Sequence, residues 1–104
     1  MDRVILITGA NGGLGVAFAQ TFLHESPANL VWLGVHQRRE RAEALARENP
    51  ERCFCLTLDV TRPESWQQAL GEILARHGRV DVLVNNAGAQ ISNRCVRSSD
   101  ASSP

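Results

Sequence analysis

The stretch Thr8-Gly9-Ala10-Asn11-Gly12-Gly13-Leu14-Gly15 constrains this chain more than any other, because of what flanks it. Before it, Val4-Ile5-Leu6-Ile7 is a continuous apolar, mostly β-branched run, as a strand covered on both faces of a parallel sheet requires. After it, Leu14, Ala17, Phe18, Thr21 and Phe22 recur at helical spacing to about Glu25, and Ser26-Pro27-Ala28-Asn29 stops the pattern. Glycines between strand and helix allow positive φ and let the backbone approach an anion, while the helix start points N–H groups and the positive end of its dipole there. The expectation is a phosphate cradle in which a side chain at Gly13 or Gly15 blocks either the anion or the helix-strand packing. The alternative is a glycine turn with no ligand.

The strand-helix unit then repeats. Leu30 to Val35 reads as a second buried strand, followed by a short charged helix from about Arg38 to Asn49 with Ala42, Leu45 and Ala46 inward, closed by Asn49-Pro50. Cys53 to Leu58 reads as a third strand. Thr61-Arg62-Pro63-Glu64 has the form of a capping box, so Thr61→Ala is expected to cost the next helix about 1 kcal/mol. That helix carries Trp66, Ala69, Leu70, Ile73 and Leu74 on one face and ends at His77-Gly78, where Gly78 suits the left-handed conformation. Val80 to Val84 supplies a fourth strand, running into Asn85-Asn86-Ala87-Gly88.

A β-α-β-α-β-α-β chain with right-handed crossovers predicts an α/β fold: a doubly wound parallel sheet, helices on both faces, strand order 3-2-1-4. Residues 1–88 form this unit. In residues 89–104 five of sixteen are Ser and no apolar period is visible, so an irregular or disordered tail is expected and the fourth strand is left as a sheet edge.

Composition narrows the function. The length, 104 residues, suits one small domain, and 43% hydrophobic with 21% charged residues is ordinary for a folded chain. Eleven cationic residues balance eleven acidic ones, which argues against nucleic acid or an anionic membrane as partner. The apolar runs are too short for a membrane span or a signal peptide, so a cytoplasmic location is expected. Cys53, Cys55 and Cys95 lack a zinc spacing, and no metal site is expected; Cys53 and Cys55 fall on one strand face. His24 and His77 read as surface residues near helix ends.

Taken in order, Thr8-Gly9-x-x-x-Gly13-x-Gly15, Asp59-Val60 after the third strand and Asn85-Asn86-Ala87-Gly88 after the fourth resemble the short-chain dehydrogenase/reductase family. The region from about Arg3 to Gly88 is most similar in look to 3-oxoacyl-[acyl-carrier-protein] reductases and their relatives. The resemblance implies the N-terminal half of a Rossmann domain and a nicotinamide dinucleotide as partner. It places Gly9, Asn11, Gly12, Gly13, Leu14 and Gly15 around the pyrophosphate and adjoining ribose. It gives Asp59 the adenine amino group, with the Val60 backbone beside it, and gives Asn86, Ala87 and Gly88 the ribose on the nicotinamide side. The plainer alternatives are Asp59 as a residue preceding a helix and the double Asn as a partner for the sheet's backbone ends.

Cofactor choice turns on the end of the second strand, where an acid favours a 2′-hydroxyl and a cation a 2′-phosphate. Gly34-Val35-His36-Gln37-Arg38-Arg39 contains no acid, so NADP is the expected cofactor and NAD the second choice, with His36 and Arg38 as contacts. The alternative is that Arg38, Arg39 and Arg41 are only the solvated face of a helix.

The family resemblance also implies a Tyr acid-base group, a Lys four residues later and a carbonyl-orienting Ser. A phenol titrates near 10 and needs a nearby cation to work at neutral pH. This chain contains no Tyr, and all its cationic side chains are Arg, so no catalytic residue is assigned. The expectation is the cofactor-binding portion of an enzyme that reduces a 3-oxoacyl-type or related carbonyl with NADPH. The chain alone is expected to be inactive and a truncated product with unrelated sequence after about Gly88; full-length relatives are expected to be homo-oligomers whose interface helices are missing here. The alternatives are a non-enzymatic dinucleotide-binding module paired with a full-length subunit, and a methyltransferase, against which the glycine spacing argues.

Overall fold

The computed structural model describes residues 3–85 and the backbone of two short segments, 90–92 and 96–97. Strand β1 (Val4–Thr8) leads into helix α1 (Gly13–Glu25), β2 (Leu30–Val35) into α2 (Glu40–Glu48), and β3 (Cys53–Thr57) into α3 (Pro63–His77). Then follow β4 (Arg79–Val80), β5 (Val82–Asn85), β6 (Gln90–Ser92) and β7 (Val96–Arg97). The main sheet runs β3-β2-β1-β5-β6, with β3, β2, β1 and β5 parallel. Counting its parallel strands along the chain gives the expected order 3-2-1-4.

The apolar runs are strands because each alternates between two cores. Ile5, Ile7, Val31, Leu33 and Val35 point to one face, under Ala19 and Leu23 of α1 and Ala42 and Leu45 of α2. Val4, Leu6, Trp32 and Leu56 point to the other, under Ala69 and Ile73 of α3. Each large side chain fully buried this way contributes about 1.5–3 kcal/mol. Cys53 and Cys55 share the first of these faces, and burial pushes the Cys53 thiol up to about 12. Gly78 closes α3 at φ 79°, the left-handed conformation its position suggests.

Five sequence expectations need correction. The fourth strand is not one element: Asp81 interrupts it, donating its N–H to the Val4 carbonyl (2.8 Å) while its carboxylate accepts from the Val4 N–H (2.8 Å) and Arg79 Nε (2.8 Å). Nor is β5 an edge, since β6 pairs with it antiparallel through Leu83↔Ser92 to Asn85↔Gln90, and β7 pairs with β4. Apolar periodicity does not reveal these two short strands.

The inward stripe of α1 is Gly15, Ala19 and Leu23, flanked by Val16, Phe18 and Phe22, whereas Leu14, Ala17 and Thr21 are exposed. A Cβ on Gly15 would lie 2.8 Å from both Ala10 Cα and the Gly9 carbonyl, so the helix approaches the turn through its smallest residues. Thr61 does not cap α3. The cap position is Arg62, without a side-chain bond, because Pro63 fixes the first helical residue; the Thr61 hydroxyl instead donates to Asp59 Oδ1 (2.6 Å). His77 is half-buried and not a free surface residue: its ring packs 5.7 Å from Trp32 and 6.0 Å from Phe54.

Candidate functional site

Strand register brings one set of chain ends together. Thr8 of β1 lies beside Gly34 of β2 and Asn85 of β5, with Leu56 of β3 level with Gly34. Here the chain, having laid β2 and β3 on one side of β1, has crossed to the other side to place β5, and such a reversal opens a crevice beyond the strand ends. Thr8 is fully buried at this point.

The glycine turn occupies that edge. Gly9 has φ 59°, a conformation glycine reaches at little cost. Ala10, fully buried, donates its N–H to the Gly34 carbonyl (3.2 Å), tying the turn to β2. A Cβ on Gly34 would lie 2.9 Å from Leu58 Cδ2, so a side chain here would have to displace Leu58. Helix α1 starts from Gly12 with no side-chain cap and no acid in its first turn, which leaves the positive end of its dipole uncompensated by side chains.

A cleft of about 630 Å³ runs along this edge, lined by Gly9, Ala10, Asn11, Gly12, Val35, His36, Arg38, Glu40 and Arg41. Of the residues singled out in the sequence, it therefore unites Gly9, Asn11, Gly12, His36 and Arg38. Gly13 is beside it: a Cβ there would sit 3.7 Å from the Arg41 guanidinium, an ordinary contact. The expected steric block at Gly13 is thus not set by the protein itself, in contrast to Gly15. Leu14 is 59% exposed, the one large apolar side chain so exposed among the described residues.

A smaller cleft of about 330 Å³ adjoins the first through His36 and contains Thr57, Asp59, Arg62 and Ser65. His36 Nε2 lies 3.5 Å from Asp59 Oδ2. The Thr61 hydroxyl and backbone N–H, with a smaller contribution from His36, hold the Asp59 carboxyl below its usual range. The Val60 carbonyl accepts from Trp66 Nε1 (2.9 Å), so its backbone is already engaged. Asn86, Ala87 and Gly88 lie outside the described residues.

Two further groups, Arg41 and Glu40, line the cleft, and Asn11 has a second role there. Arg41 joins the cleft while Arg39 turns away to Thr57 Oγ1 (2.8 Å), so these arginines are not one uniform solvated face. Glu40 also enters, although no acid stands between Gly34 and Arg39. Asn11 turns out to bind α2: its Oδ1 accepts from the N–H groups of Arg41 (2.8 Å) and Ala42 (3.2 Å). None of these follows from local pattern, because each depends on α2 folding back over the turn.

The order of the sheet and a glycine turn at its switch point define a doubly wound α/β domain of the Rossmann kind. The chain belongs to the short-chain dehydrogenase family, whose model matches residues 3–102. It is 38% identical over 90 residues to serine 3-dehydrogenase of Agrobacterium fabrum, covering 85% of this chain and 34% of that protein. It is 32% identical over 90 residues to NAD-dependent glycerol dehydrogenase of Listeria innocua, covering 86% and 34%. A crystal structure of a short-chain dehydrogenase from Streptomyces avermitilis superposes with a TM-score of 0.72 at 37% identity, covering 83% of this chain and 31% of that one. The chain thus spans about a third of the length of these relatives. Members of the family bind NAD(P). Among the described residues no helix is long and apolar enough to cross a membrane.

Proposed function

We propose that this chain is the dinucleotide-binding part of a carbonyl-reducing short-chain dehydrogenase and takes NADPH in preference to NADH. The observation that carries the reading is the Gly9 turn, with its positive φ, its uncapped helix start and its adjoining cleft. These residues fit a dinucleotide: the turn and the start of α1 accommodate the pyrophosphate, with Gly12 and Gly13 keeping its approach clear and Gly15 letting the helix close on the turn. Arg38, Arg41 and His36 offer donors to a 2′-phosphate, and two guanidinium groups outweigh the single Glu40 carboxylate. Asp59, held ionised, faces the adenine side, while Asn86, Ala87 and Gly88 serve the nicotinamide ribose. Leu14 is left for the cofactor to cover.

When bound, the nicotinamide supplies a hydride to a carbonyl carbon, in a 3-oxoacyl-type or related substrate by the likeness of the motifs. The chain's own residues bind and orient that cofactor. With no Tyr and no Lys, they supply no phenol to protonate the carbonyl oxygen, so the chain alone binds without turning substrate over.

Titration of the folded chain with NADPH and with NADH, followed by nicotinamide fluorescence, tests the reading. Saturable binding with NADPH tighter is expected. A folded chain that binds neither overturns it, and binding of S-adenosylmethionine alone replaces it with a methyltransferase.

A further inference from the structure

The cleft beside the glycine turn holds an acid as well as its cations, and the acid comes from the first residue of α2 instead of the end of β2. Glu40 lines this cleft together with His36, Arg38 and Arg41. Asn11 fixes its place. While Asn11 Oδ1 accepts from the N–H groups of Arg41 and Ala42, its Nδ2 donates to Glu40 Oε2 (3.4 Å). Helix α2 has no side-chain cap at Arg39, so one amide from the turn both caps the helix and holds its first carboxylate. The other acid in that first turn, Glu43, lies in a different cleft, with Trp32, Phe54 and Cys55.

A carboxylate accepts hydrogen bonds from a ribose diol and repels a 2′-phosphate, whereas a guanidinium attracts the phosphate. Selectivity in a cleft holding both is a difference between two opposed interactions. We propose that Glu40 is a specificity-determining residue for the adenosine end of the dinucleotide, positioned by Asn11, and that it limits the preference for the phosphorylated cofactor created by Arg38 and Arg41. The inference rests on the dinucleotide reading above. It moves the acidic determinant to a residue that the sequence around the second strand does not single out, and it makes the chain a binder of both cofactors.

The test compares the wild-type chain with Glu40→Gln, Glu43→Gln and Asn11→Ala. NADPH and NADH are titrated separately, and melting temperature is measured in parallel. Glu40→Gln keeps the shape and an acceptor for Asn11 Nδ2 while removing the charge. It is expected to raise the NADPH-to-NADH affinity ratio roughly three- to fivefold, the size of a partly screened charge contact. Glu43→Gln removes an equivalent carboxylate from the same helix turn, so it is expected to lower the melting temperature similarly and leave the ratio unchanged. Asn11→Ala is expected to raise the ratio while also destabilising the chain. Unchanged selectivity in a Glu40→Gln chain that binds both cofactors overturns the inference and leaves the dinucleotide reading standing, as does an equal shift from Glu43→Gln. Folded chains that bind neither cofactor overturn both.

Discussion

Thr8 Oγ1 donates to the side-chain oxygen of Asn85 across 3.0 Å, joining the ends of two strands that are 77 residues apart in sequence. The Val84 carbonyl is also within reach, at 3.5 Å. This bond sits where the parallel strands reverse their order, directly beneath the glycine turn. The bond thereby ties together the strand ends on which the turn is built.

Thr8→Val keeps the β-branched shape and removes the hydroxyl. Loss of a buried hydrogen bond of this kind costs about 1–2 kcal/mol. Denaturant unfolding is expected to show that loss, with Thr8→Ser recovering most of it. A Val variant as stable as wild type would show that the bond contributes nothing to holding the strand ends.

The two glycines of the turn separate packing from binding. Gly15→Ala places a Cβ 2.8 Å from the backbone of Gly9 and Ala10 and is expected to cost roughly 1–3 kcal/mol. At Gly13 the same change meets only the Arg41 side chain at 3.7 Å and raises helix propensity, so stability is kept or gains up to about 1 kcal/mol. Dinucleotide affinity is nevertheless expected to fall in Gly13→Ala, because the methyl group occupies the pyrophosphate's approach. Paired thermal melts and cofactor titrations check both halves.

The first three strands were legible because each is an apolar run packed on both faces, and that signal survives without tertiary information. The face of α1 was not, since Gly15 and Ala19 carry little hydrophobic signal and win the inner position through size alone. The family resemblance placed Asn11 at the cofactor, and it does line the cleft, but its second role is not visible in the sequence. Its engagement with α2 depends on a helix 30 residues further on. Thr61 and Glu64 satisfied a local capping pattern, yet Pro63 set the helix start one residue later and left Thr61 to Asp59.

That rearrangement predicts the behaviour of Thr61→Ala. The expected outcome is an upward movement of the Asp59 pKa, because its strongest hydrogen bond is removed, with helix content unchanged. An ionised Asp59 with a lowered pKa stabilises the fold above its unfolded value, and that stabilisation disappears as pH falls through the folded value. Carboxyl NMR titration of both chains reads the shift. Loss of α3 in the circular dichroism spectrum would restore Thr61 as a helix cap.

His77 gives the fold a dependence on pH in a higher range. Its Nε2 is buried without a hydrogen-bond partner, and its ring lies against Trp32 and Phe54, over both of which Arg76 is stacked at 5.6 and 5.4 Å. Burial, and then the Arg76 charge, lower the imidazole pKa. As pH falls below the ordinary value near 6.5, the unfolded chain takes up a proton that the folded chain resists, so stability declines until the folded pKa is passed. His77→Phe keeps an aromatic ring in the cluster and cannot titrate. Its loss of melting temperature between about pH 7.5 and pH 5.5 is expected to be smaller than that of the wild type. Equal losses in the two chains would place the source of the acid sensitivity elsewhere.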